Sequence, residues 1–397
     1  MSVFSEYKKE LMDAAHNERI RLALSRAITS YRANTNDALK RFPHTIKMAE
    51  EVREIKVKAI SEMERLTQGA CEAIEFNKGK AYIAKTADEA LKIIFKLVGT
   101  DKLIVTGKSL TSEEIELRKH LEEHGNEVYE TDLGEFILQK LGSRPMHLVS
   151  PSIHVPREDV AQLLSRITGE ELPPDDITRM VATARKLLRE KFFQADIGMS
   201  GSNVVAADTG TLFLIENEGN IRLATGAPPV HIALVGMEKL VPTLGEAFKV
   251  AEVTWRYANY TVPSYVSLVS GPSKTGDIEK VTTYGAHGPK ELHVIFINDG
   301  RTELAKHPIL HQALHCVRCG GCLYECPVFA VTAGYFGHKY FTAIGAVWAA
   351  MISQDTEKAS SIAYTCLTCG RCKVRCPMEI DGPAMIVELR KLLAEGG

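Results

Sequence analysis

Eight of the chain's nine cysteines fall in its last 82 residues, and they form one motif written twice. The first copy is Cys316-Val-Arg-Cys319-Gly-Gly-Cys322-Leu-Tyr-Glu-Cys326-Pro327. The second is Cys366-Leu-Thr-Cys369-Gly-Arg-Cys372-Lys-Val-Arg-Cys376-Pro377. Both read C-x₂-C-x₂-C-x₃-C-P, the run that binds [4Fe–4S] clusters in ferredoxins. Three closely spaced thiolates curl around one face of a cube. The fourth, held before a proline, points away and ligates the neighbouring cluster. The spacing therefore predicts two [4Fe–4S] clusters with crossed ligation. Cys316, Cys319, Cys322 and Cys376 hold one; Cys366, Cys369, Cys372 and Cys326 hold the other. Gly320, Gly321 and Gly370 lie inside the curls, where positive φ and close backbone approach to sulfur are useful. Zinc sites pair C-x₂-C units across a long loop instead, without four cysteines in eleven residues closed by proline. Cys71, alone in a helical segment, reads as a buried inert thiol.

The rest of the chain must supply a scaffold. It has 397 residues, 45% hydrophobic and 25% charged, enough to bury a large core without disulfides. The 48 Lys+Arg against 50 Asp+Glu leave −2, which argues against a basic nucleic-acid binder. The longest apolar run, Ala343–Ile352, is half the ~20 residues of a spanning helix. The opening MSVFSEYKKELMDAAHNERIR is charged, with no secretory apolar segment. A cytoplasmic location is expected, with any membrane association made through partners.

Three parts are expected. Residues 1–75 form a helical arm, with Leu24, Ile28 and Tyr31, then Met48, Val52, Ile55 and Ala59, on helical faces. Residues 76–300 alternate strand and helix, an α/β pattern that predicts a parallel sheet covered by helices. Candidate strands are 81–84, 102–106, 127–130, 147–150, 211–216, 230–235, 264–270 and 292–297. Candidate helices are 87–97, 112–124, 134–141, 156–167 and 176–193. The stretch 271–290 reads as a strand-free surface excursion. Residues 301–397 carry the cysteines, and the helical candidate Ala343–Ile352 between the motifs suggests an α-helical two-cluster ferredoxin module.

Two α/β segments have ligand-binding composition. In Val105-Thr-Gly107-Lys-Ser109-Leu-Thr111-Ser112 a strand runs into a Gly-Lys-Ser turn, and Thr111 or Ser112 can cap a helix. In 195–222 Gly, Ser, Thr, Asn and acids are dense. Ser200, Asn203, Asp208, Thr209 and Glu218 are the candidate pocket residues there, and Asp196, Asp208, Glu216 and Glu218 the candidate acids. Turn chemistry joining strands would use the same residues. No P-loop and no convincing dinucleotide or flavin fingerprint is present.

These segments, with Thr131-Asp132-Leu-Gly134-Glu135, His154-Val-Pro-Arg157-Glu158, Glu238-Lys239-Leu-Val-Pro242-Thr and Tyr265-Val-Ser-Leu-Val-Ser-Gly271-Pro272, resemble the LUD (lactate-utilization) domain family. The resemblance covers roughly residues 60–300, and the cysteine module extends it to about 390. The whole looks like the iron–sulfur subunit of the L-lactate oxidation complex. That resemblance implies a fold related to sugar-phosphate isomerases and CoA transferases. It also implies a partner: a subunit rich in Cys-Cys-Gly motifs, or a flavoprotein dehydrogenase. The family's iron–sulfur subunits run on past the second motif, whereas this sequence stops about 20 residues after Cys376. The family's Tyr-Pro-Gly-Pro stretch between the motifs is missing too. The expected function is single-electron transfer within a multi-subunit oxidoreductase, most simply one oxidising L-lactate to pyruvate. The alternatives are an enzyme acting through its own LUD pocket, a relay in a formate- or other flavoprotein-linked complex, or a redox-sensing interaction protein.

Overall fold

The computed structural model describes residues 3–395. Twelve strands are present among them: β1 (Lys80–Ala84), β2 (Leu103–Thr106), β3 (Glu127–Glu130), β4 (Ile197–Ser200), β5 (Val204–Ala206), β6 (Thr211–Glu216), β7 (Val230–Gly236), β8 (Leu240–Val241), β9 (Tyr265–Val269), β10 (Lys274–Thr275), β11 (Thr283–Tyr284) and β12 (Glu291–Ile297).

Six of them form one parallel sheet in the order β1-β12-β7-β4-β2-β3. The central strands are near-continuous apolar runs, as expected where helices cover both faces. Ile232–Val235 and Val294–Ile297 are entirely buried. The chain leaves β2 outward to β3 and returns on the other side of β2 as β4. The carboxyl ends of β2 and β4 thus flank a topological switch point, the place where open α/β sheets bind ligands. A second sheet, β8-β5-β6-β9, packs beside the first. At the β5–β6 turn Gly210 has φ +64°, and an added Cβ would sit 2.8 Å from the Ile74 backbone nitrogen, so glycine is required.

Sequence and structure differ in several places, and the helices Asn220–Gly226 and Leu244–Tyr257 were not among the candidates. Segment 147–150 is not a strand: it is a turn in which His147 Nδ1 accepts from the Val149 and Ser150 N–H groups at 3.0 and 2.9 Å. β4 and β5 went unread because their Gly-Ser-Asn surroundings look like loop. The predicted helix over 112–124 is two helices, Leu110–Glu114 and Leu117–Glu123, broken at Glu116 with φ +52°. Its cap is Ser109, which accepts from Ser112 N, rather than Thr111 or Ser112. Finally, 271–290 contains the antiparallel β10–β11 ribbon.

Residues 3–76 form four helices: Val3–His16, Glu18–Arg41, His44–Ser61 and Met63–Phe76. Asn17 caps the second by accepting from Arg19 N and Ile20 N. The apolar stripes are satisfied within the chain. Ile20, Leu24 and Ile28 pack with Leu323, Tyr324 and Phe329 of the cysteine region. Val52, Ala59 and Leu66 pack under the second sheet.

One buried ionic knot ties these parts together. Arg301, fully buried, lies between Glu114 and Glu238, its Nε 2.5 Å from Glu238 Oε2. Tyr340 and Trp348 donate to Glu114 Oε1 at 2.5 and 3.2 Å. Lys56 donates to the Glu238 carbonyl, and Arg318 reaches Glu238 Oε1 at 3.3 Å. Burial alone would raise the Glu238 pKa. The guanidiniums of Arg301 and Arg318, with Lys239, instead draw it down to about 2. Burial also lowers Lys56 and Lys239 to about 8.

Candidate metal centre and sheet-edge crevice

The duplicated motif folds twice into one backbone. Cys316 and Cys366 are extended (φ −61°, ψ 122° and φ −67°, ψ 128°). Arg318 and Thr368 then take φ +61° and +50°, and Gly320 and Gly370 φ +75° and +77°. A single helical turn follows each, Gly321–Glu325 and Arg371–Arg375. Both turns end at a cysteine with nearly the same dihedrals, Cys326 (−77°, 119°) and Cys376 (−72°, 121°). The prolines that follow cannot extend the helix hydrogen bonding. Gly321 does not share the left-handed conformation: it opens the helix, the place that Arg371 takes in the second copy.

The curls face each other across their helical turns, so each motif's last cysteine meets the other motif. One cavity is lined by Cys316, Cys319, Cys322 and Cys376, together with Cys372, which also lines the other. A second is lined by Cys326, Cys366, Cys369 and Cys372. Main-chain N–H groups turn toward these sulfurs: Arg318 N lies 3.4 Å from Cys316 Sγ. Gly321 serves Cys319, Thr368 serves Cys366, and Met378 and Ile380 serve Cys376. As free thiols these groups would stay protonated, because burial pushes Cys319 and Cys372 up to about 11 and Cys376 to about 12. An iron core removes that obstacle, since coordination deprotonates a thiol outright. Among the described residues no three His, Cys, Asp or Glu side chains gather around a single-ion point. Two rings of four soft donors, each around a cavity and served by backbone N–H groups, fit a thiolate-bound cluster. The rings differ in surroundings: Cys319 is buried and Cys369 exposed. Cys71, buried with its pKa raised to about 11 by desolvation, lies away from both.

The five candidate pocket residues are not brought together. Ser200 is buried and bonded to His231 Nε2 at 2.8 Å. Asn203 Oδ1 accepts from Ile215 N, and Asp208 accepts from Leu244 N. Thr209 bonds Thr211 Oγ1 at 2.7 Å. Glu218 accepts from Leu133 N. Asp196 and Glu216 likewise accept backbone N–H groups, from Leu103 and from Ile221 and Arg222. These side chains hold loops in shape.

A crevice of about 280 Å³ lies at the carboxyl ends of β2 and β3, beside the switch point, and Thr106, Gly107, Ser109 and Ser112 of the Gly-Lys-Ser segment line it, although its carboxylates were not among the candidate acids. Glu113, Glu130 and Glu135 line it, and Lys339 from the cysteine region helps to wall it. Lys108, in the Gly-Lys-Ser turn, pairs with Glu135 at 3.1 Å. Burial, and then the charge of Glu135, raises Glu113 to about 8. Burial raises Glu130 and Glu135 as well. Burial would lower the Lys108 pKa, but Glu135, Glu113 and Asp132 outweigh it and hold it above the usual value. The signal available in sequence was an acid in the first turn of two helices, Glu113 and Glu135, which looks like ordinary capping, and one at the end of a strand, Glu130.

His147 joins the crevice side to the cysteines. Its ring stacks on Tyr324 with centroids 4.9 Å apart. A Cβ on Gly320 would lie 3.4 Å from its Cε1. Burial lowers its pKa to about 3, so it packs as a neutral ring.

A parallel α/β domain followed by a paired-cysteine helical module is the class these features define. The chain matches the LUD domain family over residues 68–297 and the 4Fe-4S dicluster domain over 312–380. It belongs to the LUD domain family, in the form that carries a C-terminal 4Fe-4S dicluster domain. Lactate utilization protein B of Shouchella clausii is 32% identical over 98% of this chain and 80% of its own length. The Bacillus licheniformis protein of the same name is 31% identical over 98% and 80%. An uncharacterized electron transport protein, YkgF, of Escherichia coli is 29% identical over 99% and 81%. A crystal structure of a DUF162 family protein from Deinococcus radiodurans shares 16% identity, with TM-score 0.29 over 60% of this chain and 98% of that one. No helix among the described residues is long and apolar enough to cross a membrane.

Proposed function

We propose that this chain is an iron–sulfur electron-transfer subunit for oxidation of L-lactate to pyruvate. It would work beside a flavoprotein or a subunit rich in Cys-Cys-Gly motifs, in the cytoplasm, reaching a membrane only through such partners. In this reading 1–75, 76–300 and 301–397 are the arm, the LUD domain and the cluster domain. The two facing cysteine rings carry the reading. Cys316, Cys319, Cys322 and Cys376 would hold one [4Fe–4S] cluster and Cys366, Cys369, Cys372 and Cys326 the other. Bound there, the clusters supply one-electron transfer, and four thiolates each leave no iron open to substrate. The protein's own part is positional. The left-handed Arg318, Gly320, Thr368 and Gly370 turn N–H groups toward sulfur, and apolar walls keep water from the inner ring, that of Cys316, Cys319, Cys322 and Cys376. Oxidation of a hydroxy acid removes two electrons, so the site that splits them lies on a partner. The names of the relatives, Lactate utilization protein B, support lactate as the upstream substrate.

The test is anaerobic reconstitution. The purified chain should contain about eight iron and eight sulfide. Its clusters should be reduced by dithionite and remain oxidised with lactate until the partner subunit is added. Reduction by lactate in the chain alone would overturn the relay reading. The observation favouring a second reading, a LUD-pocket enzyme, is the crevice with Lys108 and Glu135. Lactate turnover by the full chain without a partner, abolished in Lys108→Met, would establish it.

A further inference from the structure

The two copies of the motif have the same backbone but differ in several side chains, and one of these differences falls just before the second cysteine. Arg318 and Thr368 both precede the second cysteine of their motif, and both have positive φ. Thr368 bonds the carbonyl of its neighbour Leu367 at 2.8 Å, near the exposed Cys369. Arg318 instead folds inward, its side chain only 11% exposed, and lines the cavity of Cys316, Cys319, Cys322 and Cys376. Its guanidinium lies over the Tyr340 and Trp348 rings, 4.6 and 4.3 Å from their centroids. One nitrogen, Nη2, reaches Glu238, a carboxylate already engaged by Arg301. Nε and Nη1 are buried and have no hydrogen-bond partner in the protein.

Burying two charged donors unpaired is costly, and native interiors rarely do it without an acceptor at hand. The charge balance points the same way. Arg301 and Arg318 match Glu114 and Glu238, and Lys56 and Lys239 are surplus to that knot. Arg318 and Lys56 both lie close enough to Cys316 for their charges to act on its sulfur. The inner ring is therefore electropositive and walled by aromatic side chains. A thiolate-bound cluster is anionic and its sulfurs accept hydrogen bonds, so it would satisfy both needs.

We propose that Arg318 is a positioning residue that holds a buried cation against the cluster of Cys316, Cys319, Cys322 and Cys376 and raises that cluster's reduction potential, with no counterpart at the other cluster. This rests on the two-cluster reading above. In the step concerned one electron from a one-electron reductant enters the cluster, whose core goes from 2+ to 1+. No bond is made or broken and no proton moves. The added negative charge is stabilised by a nearby cation, more strongly where aromatic walls exclude water. Arg390, the cation near Cys366, spends its guanidinium on the Ala363 and Cys366 carbonyls.

The test is a dithionite titration of the full chain under anaerobic conditions, followed by electron paramagnetic resonance. Cys376→Ser identifies which of the two reduction waves belongs to the inner ring. Arg318→Gln should move that wave to lower potential and leave the other in place. Arg318→Lys, which keeps a charge but loses the fork, should give a smaller shift in the same direction, and serves if the Gln variant does not fold. Unmoved midpoints, or equal shifts of both waves, with full iron content would overturn the inference and leave the two-cluster reading standing. A wild-type chain with half the iron would overturn that reading, and this inference with it.

Discussion

Cys326, the last cysteine of the first motif, lines its cavity with Cys366, the first cysteine of the second. Cys376 in turn shares the other cavity with Cys316. Loss of Cys326 should therefore strike the cluster of the motif to which it does not belong in sequence. In Cys326→Ser, spectra that resolve the two clusters should show damage to the one held by Cys366, Cys369 and Cys372. Iron should fall toward about half of the full eight. Damage confined to the Cys316 cluster would show that ligation is not crossed.

Arg301 is the cation most deeply committed to the fold. Replacing it with methionine strands Glu114 and Glu238 in the interior, both with side chains 1% exposed. Breaking one side of a buried ion pair costs about 3–5 kcal/mol. Denaturant unfolding of Arg301→Met should show a loss of that order, whereas removing an exposed pair such as Lys306–Glu303, which solvent screens, should change stability far less.

Gly198 in β4 has no room for a methyl group. An added Cβ would lie 1.7 Å from the Ala224 carbonyl, where the helix Asn220–Gly226 crosses the strand. Gly198→Ala should destabilise by at least ~1–3 kcal/mol as strand and helix are forced apart. Gly245, inside the helix Leu244–Tyr257, has nothing within 4 Å of such a Cβ. Gly245→Ala, in the first turn, should stabilise slightly, by less than the ~0.5–1 kcal/mol of a mid-helix position. Thermal melts of the pair check the contrast.

The crevice gives a pH dependence. Glu113 titrates near 8 in the folded chain against a usual 4.5, so the folded state binds its proton more tightly. Stability from that proton is complete below about pH 4.5 and is lost as pH rises through 8. Glu113→Gln has no proton to lose. The melting temperature of the variant relative to wild type should climb between pH 4.5 and 8. A constant difference across that range would show that Glu113 titrates normally.

Much of the α/β region was legible because its strands are continuous apolar runs bounded by turn residues. Val294–Ile297 and Ile232–Val235 announce buried parallel strands, and the structure has them at the centre of the sheet. β4 was hidden because its close helix contact demands Gly198, and glycine beside serine reads as loop. The candidate pocket failed to assemble for a related reason. Asp196, Asp208, Glu216 and Glu218 are spaced along turns, and acids in turns accept backbone N–H groups before they serve a ligand. The crevice is the converse. Glu113, Glu130 and Glu135 come from separate elements, and only the return of the chain to β4 on the far side of β2 makes a concavity there. The cysteines stood out because their spacing is local and written twice.

The packing of Leu24 and Ile28 against Leu323 and Phe329 sets an order of assembly. The helix Glu18–Arg41 leaves the ribosome well before the surface it covers, which is made roughly 300 residues later, at about 5–20 residues per second a wait of some tens of seconds. Until then the stripe has no partner in its own chain. Contacts this remote in sequence form late, because the loop must close before they repay it. The wall behind Cys322 and Cys326 is therefore complete only once the chain has been made as far as Phe329, and a chain halted before Cys366 holds a full set of four cysteines for neither ring.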